Sequence, residues 1–152
     1  MLLQEAQDLP DDPPTLVVNG ISIDAFAIDW RTGNARDQPP PESVDKVGFV
    51  THAANLELTL QRSAMPSEVT VGIYPTALKD VDPLQPPPRY VSCVAGAACG
   101  VVAHGDDVIV DLSPLFPATA AASVFTVAAS YFAEDQGRPF SNSVTWAFEV
   151  TR

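Results

Sequence analysis

From Ser143 to Val150 the chain alternates without interruption: Val144, Trp146, Phe148 and Val150 fall on one side, Ser143, Thr145, Ala147 and Glu149 on the other. A period of two is that of a half-buried β-strand, because successive side chains leave opposite faces of the pleat. The same period recurs at Ile21/Ile23, Leu56/Leu58/Leu60, Val69/Val71/Ile73, Val108/Val110/Leu112 and Phe125/Val127/Ala129/Tyr131, with proline- or glycine-bearing stretches between most of them. No segment of helical length carries a 3.6-residue apolar stripe, so almost no helix is expected. The pattern predicts an all-β, antiparallel β-sandwich of about 7–9 strands.

The punctuation refines the expectation. Residues 1–14 combine acids with Pro10, Pro13 and Pro14 and read as an extended tail, leaving residues 15–152 as a single sandwich domain. Leu16 to Ala27 reads as a strand pair or one bent strand, broken where Asn19-Gly20 favours a tight turn. Residues 29–45, with Pro39, Pro40 and Pro41, form a first long loop; Val47 to Gln61 resumes strand character. Residues 68–74 are a strand, and residues 75–88, with prolines at 75, 83, 86, 87 and 88, form a second long loop. Proline lacks the N–H that a central strand must donate, so neither proline run belongs inside a sheet. Short strands are expected at 89–93, 100–103 and 107–112, a crossover at 118–123, and a last hairpin connection over 134–139.

The order from Val108 to Val150 resembles the E, F and G strands of a fibronectin type III or related immunoglobulin-like domain. A strand ends in Leu112-Ser113-Pro114, then come Ser123 to Ser130, a turn containing Gly137, and Pro139 to Thr145. The family carries a tyrosine at the start of its F strand, whose hydroxyl bonds back across a corner; Phe125 stands there in this chain. The resemblance implies an extracellular or surface-associated, non-catalytic module.

Charge and composition narrow the partners. Nineteen acids against eight lysines and arginines leave a net charge of −11, which opposes binding to nucleic acid or to an anionic membrane surface. No apolar run reaches the length of a membrane span. Met1, Leu2 and Leu3 are followed at once by Gln4 and Glu5, which does not read as an export signal. Cys93 and Cys99 are the only cysteines; the small residues between them let them close a hairpin disulfide, the alternative being two buried thiols acting as apolar side chains.

Candidate chemistry is sparse. His52 and His104 are the only histidines, and no Gly-x-Ser-x-Gly elbow accompanies them, so no catalytic residue is assigned. Cys93, Cys99 and His104 match no common zinc spacing. Calcium is the cation that loop acids such as Asp80, Asp82, Asp106, Asp107 and Asp111 would suit; solvation of an acidic surface accounts for them without it, and no cofactor is expected. The binding candidates are aromatic: Trp30 with Arg31 at the mouth of the first long loop, and Tyr74 and Tyr90 flanking the second. The expected function is a non-enzymatic interaction, assembly or adhesion module that meets a protein partner or a further copy of itself. A carbohydrate-binding or enzyme-accessory domain using the loop aromatics is the second reading.

Overall fold

The computed structural model describes residues 12–30, 42–43, 46–51, 53–82, 84–93, 99–117, 119–135 and 137–152. Twelve strands are present among them: β1 (Thr15–Val18), β2 (Ile21–Ile23), β3 (Ala27–Asp29), β4 (Glu42–Ser43), β5 (Val47–Val50), β6 (Glu57–Gln61), β7 (Glu68–Tyr74), β8 (Arg89–Cys93), β9 (Gly100–His104), β10 (Asp107–Asp111), β11 (Ala122–Asp135) and β12 (Arg138–Thr151). The regular helical structure among these residues is two single 3-10 turns, Leu78–Asp80 and Ser113–Leu115. Among the described residues no helix is long and apolar enough to cross a membrane.

The strands form two sheets, ordered β2-β1-β6-β10-β9 and β4-β3-β12-β11-β7-β8, with β5 joining the second alongside β12. Every pairing is antiparallel except that of β5 with β12, which is parallel. The fold is the expected all-β sandwich, with more strands than the alternation suggested. The surplus is β3, β4 and the division of 47–61 into β5 and β6, and β4 lies inside the stretch 29–45 expected as the first long loop.

Leu16, Leu58, Leu60, Val108 and Val110 of the first sheet and Val71, Phe125, Val127, Trp146 and Phe148 of the second are buried, at 1% exposure or less. Each lies at alternate positions on its strand, so two apolar faces meet and the polar residues between them stay outside. Phe125 and Phe148 stack at 5.8 Å, cross-strand neighbours in the β11/β12 register.

Two expectations are corrected. Val47 to Gln61 is not one strand: β5 belongs to the second sheet and β6 to the first, and the chain changes sheets between them, where Ala53 N–H donates to the Thr151 carbonyl. Val50, Ala53 and Leu56 are buried at a spacing of three, which a straight strand cannot do. The last connection is also tighter than 134–139, because only residues 136 and 137 separate β11 from β12. Residues near that tip extend past the neighbouring strands, so water can solvate their polar side chains and the stretch has a loop's composition.

Asn19 and Gly20 make the anticipated tight turn, with φ of 49° and 84°, a left-handed pair that these two residue types tolerate. Cys93 and Cys99 are bridged, with Cα atoms 5.2 Å apart. Cys93 ends β8 and Cys99 immediately precedes β9, the last strands of their respective sheets, so the bridge laces one lateral side of the sandwich. On the other side Ile23 of β2 lies against Gly48 of β5.

Candidate functional site

The second proline-rich loop does not project from an end of the sandwich; it folds back over the outer face of the second sheet. Three anchors hold it. Leu78 N–H donates to Glu149 Oε2 at 2.8 Å, and the Tyr74 hydroxyl donates to the Gln85 carbonyl at 3.0 Å. Pro87 rests over Gly72, where an added Cβ would meet Pro87 Cγ at 2.7 Å and Thr126 Oγ1 at 2.5 Å. Only glycine permits that approach. Val124 and Ala147 point outward by alternation, yet are only 3% and 5% exposed.

Between the anchors the loop carries local order of its own. The 3-10 turn is closed by Asp80 N–H to the Ala77 carbonyl and Val81 N–H to the Leu78 carbonyl. Asp82 then accepts twice: its carboxylate from Leu84 N–H at 2.9 Å, and its carbonyl from Gln85 N–H at 3.1 Å. This is an Asx-supported turn, and it displays Leu84 with 88% of its surface exposed. Tyr90, opposite Gly72 in the β7/β8 register, lies on the same outer face and is 66% exposed.

No protein-family model, curated protein or solved structure matches the chain. The site is therefore read from its own chemistry.

Of the four aromatic and basic candidates, Tyr74 and Tyr90 come together at this loop. Trp30 does not join them. It lies in the core at 7% exposure, edge-on to Tyr131 with ring centroids 5.4 Å apart, so its ring face is not offered to solvent. Arg31 and His52 lie outside the described residues. His104 is exposed and pairs with Asp107 across a two-residue turn.

Asp82, Asp107 and Asp111 engage the fold through their carboxylates, and Asp106 through its main chain. Asp107 Oδ1 accepts from Arg62 N–H, Asp111 Oδ1 from Ser113 N–H, and the Asp106 carbonyl from Ser63 N–H. Among the described residues no three His, Cys, Asp or Glu side chains converge as a metal site. A cleft of about 210 Å³ opens beside β1 and β2, with Pro14, Ile23, Ile28, Val144 and Trp146 in its lining and Asp24 among its polar residues. Asp24 is also paired with Lys46 at 3.5 Å. Pro14 is buried, so it packs with the sandwich although its composition placed it in the tail.

Leu84 was missed by sequence reasoning. Its only signal is a large apolar residue isolated between Pro83 and Pro86, where no strand or helix could bury it.

Proposed function

We propose that the protein is a non-enzymatic interaction module of immunoglobulin-like type, which recognises a protein partner through the folded-back loop 75–88. The strand order supports the type. The order β1-β6-β10-β9 matches A-B-E-D of an immunoglobulin constant-type sandwich, and β7-β11-β12 matches C-F-G. On this mapping β8 is an added strand beside C, and β10, β11 and β12 are the E, F and G strands.

The observation that carries the recognition reading is Leu84, almost wholly exposed on a turn tied down on both flanks. A large apolar side chain held out by an ordered loop loses little entropy on docking, which is the physical advantage of preorganisation. Tyr90 adds a rigid, amphipathic surface of the kind enriched at interface hot spots. A partner with an apolar cleft suits this pair. The disulfide accords with an oxidising, extracellular or surface location.

Affinity capture from the surface fraction of the native source, with wild type and Leu84→Asp side by side, tests the reading. A partner retained by wild type and reduced about tenfold or more by the variant, at unchanged melting temperature, is the expected result. Equal retention by both proteins would overturn it. The carbohydrate reading has its own observation, the exposed Tyr90 ring on a sheet face that also carries Thr70 and Ser92. A glycan array with wild type and Tyr90→Ala discards it if neither protein binds.

A further inference from the structure

A sandwich leaves strand edges whose N–H and C=O groups are unpaired, and proteins ordinarily guard them with charge, proline, bulges or shortness. The edges here differ in this respect. β2 and β4 have three and two residues, β5 lies against Ile23 of β2 at Gly48, and β8 begins with Arg89 directly after Pro86, Pro87 and Pro88. β9 is five residues long and reads Gly-Val-Val-Ala-His, with no proline, lysine or carboxylate in a chain of net charge −11. Val102 at its centre is 61% exposed.

We propose that β9 is a self-pairing edge, joining two copies of this chain in an isologous antiparallel dimer centred on Val102. The backbone supports that register. Gly105 and Asp106 form a two-residue turn closed by His104 and Asp107, and such a closing pair exchanges both of its backbone bonds. Because bonded and non-bonded pairs alternate, His104, Val102 and Gly100 bond to β10, while Val101 and Ala103 aim their N–H and C=O groups away from it, where they meet no backbone partner among the described residues. With Val102 opposite Val102 of the partner subunit, Val101 faces Ala103 of the partner subunit, and the reverse. Each of those pairs carries two backbone bonds. The central pair is then of the non-bonded kind, in which side chains approach most closely.

The side chains agree with this arrangement. On the outer face Val102 continues a row with Ile109, Thr59 and Val17 across β10, β6 and β1, and the dimer doubles that row through its centre. Gly100 comes opposite His104 of the partner subunit, and a Cβ on Gly100 would meet nothing within 4 Å. Asp111, which pairs with Gly100, therefore has the partner's imidazole one strand away across an open position. Two copies meet without facing carboxylates and with a histidine directed toward an aspartate twice over. Five paired residues bury less than a standard interface, so the dissociation constant belongs in the micromolar to millimolar range.

Sedimentation velocity over a concentration series, with amide exchange on the same samples, tests the proposal. Wild type should dimerise reversibly, and the Val101 and Ala103 amides should slow about tenfold or more between the monomeric and dimeric ends of the series. Val102→Lys, an exposed position where two ammonium groups would face each other, should raise the dissociation constant about tenfold or more at unchanged melting temperature. Leu84→Asp should leave the dimer intact, which separates this edge from the recognition loop. Wild type that stays monomeric up to about 1 mM, the weak end of that range, would overturn the proposal. So would a dimer indifferent to Val102→Lys, or one whose Val101 and Ala103 amides remain fast.

Discussion

Tyr131 is fully buried and its hydroxyl is tied into the core. Its hydroxyl lies 2.7 Å from Ser63 Oγ, which is itself 2.6 Å from the Ala64 carbonyl. A carbonyl can only accept, so Ser63 donates to it and Tyr131 donates to Ser63. Burial dominates the titration and raises the phenol from 10.0 to about 12. The native state therefore disfavours phenolate, and stability present below pH 10 declines as the pH rises toward 12. Chemical denaturation across that range should show this loss in wild type and a flatter profile in Tyr131→Phe. At neutral pH the same substitution costs about 1 kcal/mol through the lost hydrogen bond. Identical alkaline profiles would mean that the phenol is not buried in solution.

Ser123 is the opposite case, fully buried in β11 with a hydroxyl that has no hydrogen-bond partner among the described residues. Its desolvation is uncompensated, and a residue of similar volume without the hydroxyl loses nothing. Ser123→Ala should keep or raise the melting temperature, by an amount equivalent to at most about 1–3 kcal/mol. A clear destabilisation would reveal a partner for the hydroxyl.

Among the elements, the β7–β8 connection departs furthest from what its composition suggests. Fourteen residues with five prolines describe a stiff excursion, yet the chain returns across the sheet because Gly72 leaves room for Pro87 and Glu149 presents a carboxylate to Leu78 N–H. Gly72→Ala removes that room. The methyl should displace the loop at a cost of about 1–3 kcal/mol and speed tryptic cleavage after Lys79, which lies in the anchored 3-10 turn. Unchanged cleavage and unchanged stability would place the loop away from the sheet. The long hairpin shows the reverse relation. The alternation from Phe125 to Tyr131 and from Ser143 to Val150 was legible in full, since each strand buries one face and the period is read directly from the residues. Its outer ends were not, because solvated strand and loop share a composition.

In the whole molecule, closure is lateral. The two sheets are laced where Cys93 meets Cys99, at the ends of their orders. Because the bridge spans only six positions of sequence, the denatured chain is little constrained by it, and Cys93→Ala with Cys99→Ala should lower stability by about 2 kcal/mol in the chain-entropy model. Thermal unfolding of the double variant measures this; a loss much above that figure would show that the bridge also holds the sheets in register. The folded-back loop lies on the outer face of the second sheet and β9 at the edge of the first.

The amino-acid order alone determined that this chain is a β-sandwich, which residues of the long strands face its interior, and that Asn19-Gly20 makes a tight turn. Those properties depend on the alternation of side chains and on the backbone limits of glycine, proline and asparagine, which are local. It left open the bridging of Cys93 to Cys99. Which strands become edges, which aromatic is buried, and which loop lies on a sheet depend on segments far apart in the chain. Trp30 and Tyr90 show the division: both flank proline-rich loops, but Trp30 is buried edge-on to Tyr131 and Tyr90 is exposed. No period in the sequence distinguishes them, because burial is a property of the neighbours that folding brings together.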